Sequence, residues 1–107
     1  MANLQEVFRV AIEELCSTAL SNHVQPVVLY LPTVPDLKAT NPAPILRTKQ
    51  VAAQKLNIPF VDPTSNLRSR GESLYLEGDP THLNAEGNRI LAEVLFNSVT
   101  NLAGLRQ

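Results

Sequence analysis

The sequence predicts an α/β fold on parallel strands, in the order helix, strand, helix, strand, helix. Two observations predict it. Three long segments repeat apolar residues at three- and four-residue steps, the period of an amphipathic helix. Between them, Val27-Val28-Leu29-Tyr30-Leu31 and the shorter Phe60-Val61 are continuously apolar. A short unbroken apolar run with β-branched residues is the habit of a strand buried on both faces. Strands alternating with helices form parallel sheets through right-handed crossovers.

The first helix is read from Leu4, Val7, Phe8, Ala11, Ile12, Leu15 and Ala19. Asn3 suits its N-cap, with Glu6 three residues on, and Asn22-His23 marks its end. Pro26 introduces the first strand and Pro32 closes it. Residues 32–44 hold four of the eight prolines and read as a long surface loop. Pro42 and Pro44 suit the first turn of a second helix, from about Ala43 to Lys55, burying Ile45, Leu46, Ala52, Ala53 and Leu56. Phe60-Val61 is the second strand, closed by Asp62-Pro63. Residues 62–78 are long for a bare connection, and Thr64 to Arg68 fits one helical turn. Asn84 then caps a last helix with an apolar face of Ile90, Leu91, Val94, Leu95, Ser98, Val99 and Leu102. On its wet face, Glu86, Arg89 and Glu93 are spaced for ion pairing.

Composition narrows the functions. The 107 residues read as one domain, which buries about 60–70% of its unfolded surface at this size. Nine basic and ten acidic residues give a net charge of -1, with no basic face for nucleic acid and no polybasic membrane anchor. Five aromatics and no tryptophan disfavour a base-stacking platform. No apolar run reaches the roughly 20 residues that span a bilayer. The segment Met1 to Glu6 lacks the basic start and apolar core of a signal peptide. That suits the cytoplasm if Met1 is the natural start, and an extracytoplasmic site if the chain is a piece of a secreted parent. The single Cys16 forms no internal disulfide.

Two strands alone do not make a stable sheet, and both leave open edges. The predicted fold is therefore a partial layer, completed by further sequence or by another chain.

The chemistry concentrates in Gly78-Asp79-Pro80-Thr81-His82-Leu83-Asn84-Ala85-Glu86-Gly87-Asn88-Arg89. An aspartate three residues before a histidine, on a turn at the end of a sheet, can accept a hydrogen bond from the imidazole. The carboxylate then fixes the tautomer and leaves the other ring nitrogen to take a proton from a hydroxyl nucleophile. Pro80 supplies the turn.

The run Asp79-x-x-His82-Leu83-Asn84-x-x-Gly87-x-x-x-x-Ala92 resembles the last motif of the SGNH, or GDSL, hydrolases. Those are serine esterases and acyltransferases on a three-layer, flavodoxin-like α/β/α sandwich. Val27 to Leu31 resembles the fourth strand of that fold and Phe60-Val61-Asp62 its fifth. The resemblance implies that His82 is the general base and acid and Asp79 its orienting partner. It implies an ester or an acylated carbohydrate as substrate and needs no cofactor or metal. The family's nucleophilic serine and oxyanion-hole motifs are missing. Gly78-Asp79 is followed by proline, no Gly-x-Ser-x-Gly elbow occurs, and six serines sit in no nucleophile context. The resemblance thus implies the C-terminal part of such a domain, inactive by itself.

Plainer roles stand beside these. Asp79 also suits an N-cap with Pro80 at the first helical position. As metal ligands, Asp79, His82 and Glu77 lack a third and fourth ligand at recognisable spacing. His23 suits a helix C-terminus, Cys16 a small buried hydrophobe, and Arg47, Lys49, Arg68 and Arg70 a solvated surface or an anion site. Tyr75 suits either a pocket beside His82 or packing under the long loop. The alternative to an esterase segment is a non-catalytic α/β module that forms a homo-oligomer through its open sheet edge.

Overall fold

The computed structural model describes residues 3–103. In chain order these form α1 (Leu4–Ser21), β1 (Val28–Leu29), α2 (Val34–Lys38), α3 (Pro44–Lys55), β2 (Phe60–Val61), α4 (Thr64–Arg68), a 3-10 turn (Gly71–Leu74) and α5 (Ala85–Ala103). The class is α/β, mostly helical, with a two-stranded parallel sheet. The chain divides into two compact units. One comprises the chain up to Tyr30 with Asn41–Val61. The other comprises Leu31–Thr40 with the chain from Asp62 onward.

In the first unit, the amide of Glu6 donates to Asn3 Oδ1 at 2.8 Å, the predicted N-cap. α1 packs on α3. Cys16, Val28, Ala53 and Ile58 form the core, with Ile12, Leu56 and Phe60 against it. β1 and β2 run parallel, Val28 opposite Phe60 and Leu29 opposite Val61. The Val28 amide donates to Pro59 at 3.0 Å and that of Tyr30 to Val61 at 2.9 Å. By the alternation of a parallel ladder, the backbone of Leu29 points to the opposite edge. There the Leu29 carbonyl accepts from Lys49 Nζ at 3.3 Å, while the ammonium lies 5.8 Å from the Tyr30 ring centroid. A lysine at an open edge blunts it against stray pairing.

Three expectations for this unit need correction. Of the run from Val27 to Leu31, only Val28–Leu29 is ladder, and it is buried on one face. Val28 and Tyr30 are buried, but Leu29 is half-buried and Leu31 exposed. The apolar stripe of α1 is likewise covered only in part. Cys16, Ile12 and Ala19 turn inward, while Leu4 and Leu15 remain 83% and 73% exposed. α3 buries Ala52 and Ala53 fully and leaves Ile45, Leu46 and Leu56 half-buried.

In the second unit, the proline-rich stretch is not a bare loop, because it contains α2. Thr33 caps that helix reciprocally. The Asp36 amide donates to Thr33 Oγ1 at 3.4 Å and the Thr33 amide to Asp36 Oδ2 at 2.8 Å. Pro35 occupies the first turn, where its missing N–H costs nothing. α4 is the single turn predicted from Thr64 to Arg68, and the 3-10 turn extends the same stretch. Val34, Leu37, Leu67, Leu74 and Tyr75 make the core, with Leu83 and Ile90 packed against it.

Asn84 caps α5, accepting from the Gly87 amide at 2.9 Å through Oδ1. Its Nδ2 donates to the carbonyls of Ser73 at 2.8 Å and Tyr75 at 3.3 Å. Gly87 is required by close approach, since a Cβ there would lie 2.4 Å from the Leu74 carbonyl oxygen. The predicted face from Ile90 to Val99 is half-buried, and the Leu102 side chain lies outside the described residues. Arg89 pairs with Glu86 and Glu93, and Arg70 reaches Glu86 at 3.0 Å.

Candidate functional site

The site is a closed turn in the second unit. Tyr75 and Leu83 form an antiparallel bridge that brings its two ends together. The Leu76 amide donates to the His82 carbonyl at 2.9 Å, and the Asp79 amide to that of Leu76 at 3.0 Å. Gly78 has φ +73, which a side chain rarely adopts, and it lets the chain reverse immediately before Asp79. The Pro80 carbonyl accepts from the Val34 amide at 2.9 Å, tying the turn to α2. Below it, the Asn84 amide donates to Leu74 at 2.8 Å.

This turn brings together both predicted side chains. His82 Nδ1 lies 2.7 Å from Asp79 Oδ2. Asp79 Oδ1 accepts from the Thr81 amide at 3.0 Å, the Thr81 hydroxyl at 2.8 Å and the His82 amide at 3.3 Å. These bonds, the Thr81 amide and hydroxyl foremost and then the His82 ring, lower the Asp79 pKa to about 2. An ionised carboxylate only accepts, so the proton between them belongs to His82 Nδ1. Nε2 then carries the lone pair, and it makes no hydrogen bond among the described residues. The His82 side chain is 72% exposed. The pair is thus an oriented base with an open face.

Asp79 is not the cap of α5, because the helix begins at Ala85 with Asn84 as its cap. A small cleft of about 290 Å³ borders the aspartate, lined by Val34, Glu72, Leu76, Gly78, Asp79 and Pro80.

The Asp79 carboxyl should titrate near pH 2, below the model-peptide value of 3.8. Because its folded pKa is depressed, its contribution to stability is full above about pH 4. That contribution fades as the pH falls towards 2. Carboxyl 13C shifts followed against pH check this, and a midpoint near 4 contradicts the hydrogen-bonding described.

The other candidates take plainer roles. Tyr75 is buried under the proline-rich segment, donating its hydroxyl to the Pro32 carbonyl at 2.6 Å, rather than lining a pocket beside His82. Burial pushes the Cys16 thiol pKa up, away from a nucleophilic thiolate. Arg68 donates to the Leu37 carbonyl at 2.7 Å, and Lys49 is committed to Leu29. His23 follows α1 with φ 60. Among the described residues no three His, Cys, Asp or Glu side chains gather as metal ligands, so Glu77 does not join Asp79 and His82 in a centre. None of the six serines hydrogen-bonds to His82. Thr81 is the site residue that spacing alone does not reveal. Its signal is a hydroxyl inside the Asp-x-x-His interval.

Comparison with protein-family models, curated proteins and solved structures finds no match to this chain.

Proposed function

We propose that this chain supplies the Asp–His half of a serine ester hydrolase or O-acyltransferase site of the SGNH type. The nucleophile and oxyanion donors come from outside it. In this reading its α/β layer is part of a three-layer, flavodoxin-like sandwich. One observation carries the reading: an imidazole held by a carboxylate at 2.7 Å, with its second nitrogen free and exposed.

His82 Nε2 takes the proton of a serine hydroxyl as that oxygen attacks an ester carbonyl. Asp79 holds the ring and stabilises the imidazolium. The same nitrogen returns the proton to the departing alcohol. The cleft beside Asp79 suits a small acyl group or part of an acylated sugar. No cofactor and no metal enters this chemistry. Hydrolysis of a chromogenic acetyl ester tests the reading. The isolated chain should stay at background. Joined to a segment presenting a Gly-Asp-Ser turn, it should turn over the ester in a His82-dependent way. Hydrolysis by the isolated chain that survives His82→Ala overturns the assignment.

The uncovered stripe of Leu4, Val7, Phe8 and Leu15 favours a second reading, a non-catalytic module that self-associates. That reading expects a homo-oligomer by light scattering that Leu15→Lys disperses, whatever residue 79 is. A monomer at all concentrations removes it. Lys49 on the Leu29 carbonyl weighs against pairing at the strand edge itself.

A further inference from the structure

We infer that the Thr81 hydroxyl is a positioning group for the imidazole, selecting the His82 tautomer whose Nε2 can accept a proton. The inference rests on the general-base reading of His82 and adds to it a third side chain that the Asp-x-x-His spacing does not assign.

Thr81 Oγ1 lies 2.8 Å from Asp79 Oδ1 and 3.0 Å from His82 Nδ1. A hydroxyl has one hydrogen to give and two lone pairs to receive. With Asp79 ionised, that hydrogen goes to Oδ1. The oxygen's lone pairs are then what face the imidazole. A ring with hydrogen on Nδ1 satisfies both neighbours, giving its N–H to Asp79 Oδ2 at 2.7 Å with Thr81 Oγ1 as the second acceptor. A ring with hydrogen on Nε2 instead turns its Nδ1 lone pair towards Oδ2 and the hydroxyl oxygen, and it is satisfied only by drawing the hydroxyl hydrogen away from Asp79 Oδ1. The hydroxyl therefore acts twice. It adds a third donor on Oδ1 to the two amides, which reinforces the orientation that keeps Oδ2 on the ring. It also presents an acceptor that rewards the Nδ1–H form.

The backbone makes this a role of the side chain. The Thr81 and His82 amides already donate to Oδ1. The turn thus keeps its main-chain bonds when the hydroxyl is removed. Thr81 is also exposed, so its loss leaves no buried cavity.

The test is long-range 1H–15N NMR of the intact chain, at a pH where the imidazole is neutral. The chain as it stands should show the Nδ1–H tautomer. Thr81→Val should lower the ratio of Nδ1–H to Nε2–H by about fivefold, the effect of one modest hydrogen bond. Thr81→Ser should restore it. Thr81→Ala gives the same readout should valine disturb the turn. An unchanged ratio in both Thr81→Val and Thr81→Ala overturns the inference, as does a change that serine does not reverse. Asp79→Asn separates this from the parent reading. If it shifts the tautomer while the Thr81 variants do not, the Asp–His couple stands and the role of Thr81 falls. If Asp79→Asn changes nothing, the couple itself is lost.

Discussion

In the proposed reading, with the chain joined to a segment presenting a serine nucleophile, His82→Ala should lower ester hydrolysis by roughly 10⁴-fold, to the level left by binding and oxyanion donors alone. The size follows from the role. A serine hydroxyl is a poor nucleophile without a base, and Nε2 is the site's exposed lone pair beside a carboxylate. Asp79→Asn should cost about 10³–10⁴-fold by a different route. The amide can donate to Nδ1, which places the ring proton on Nε2 where a base is needed. The two variants are not additive, because each breaks the same unit. Initial rates on a chromogenic acetyl ester check both. A joined enzyme that keeps its rate in either variant shows that the couple is structural.

Gly87→Val should destabilise the second unit by about 2–3 kcal/mol. Two effects compete in a helical glycine. Replacing it by alanine gains about 1 kcal/mol of helix propensity. At Gly87, however, a Cβ meets the Leu74 carbonyl oxygen at 2.4 Å and Leu83 Cδ2 at 2.8 Å. The first of these is main chain and cannot swing aside. It also accepts the Asn84 amide at 2.8 Å, so retreat breaks that bond. Crowding therefore exceeds propensity, and valine, which gains less propensity and adds two methyls, shows it most clearly. Urea melts of the variant and the parent chain measure the difference. A variant as stable as the parent shows that the helix start has room to shift.

Much of this is legible in the residues, for reasons that can be named. α1, α3 and α5 declare themselves because each carries several turns of periodic apolar residues, and Asn3 and Asn84 sit where orphan amides need an acceptor. The dyad is legible because an Asp-x-x-His turn closes locally, needing no distant partner. α2 is hidden by its prolines, which read as breakers. The countersign is Thr33 three residues before Asp36, with Pro35 harmless in the first turn. The extent of the strand is not legible, since an apolar run records what a residue tolerates and not which neighbours cover it. The same holds for α1, whose stripe is wider than the face α3 covers. Thr81 escapes a reading by spacing because its role depends on where one hydroxyl hydrogen points.

Asn84 joins tasks that proteins often assign to separate residues. Two residues after the imidazole, its side chain opens α5 and clamps the segment from Ser73 to Tyr75, and its amide anchors to Leu74. Fraying at the helix entrance and slackening of the Asp79–His82 turn are consequently one event. The dyad leans on a nineteen-residue rod instead of on a surrounding pocket, so it can stay in register while its imidazole stands in solvent.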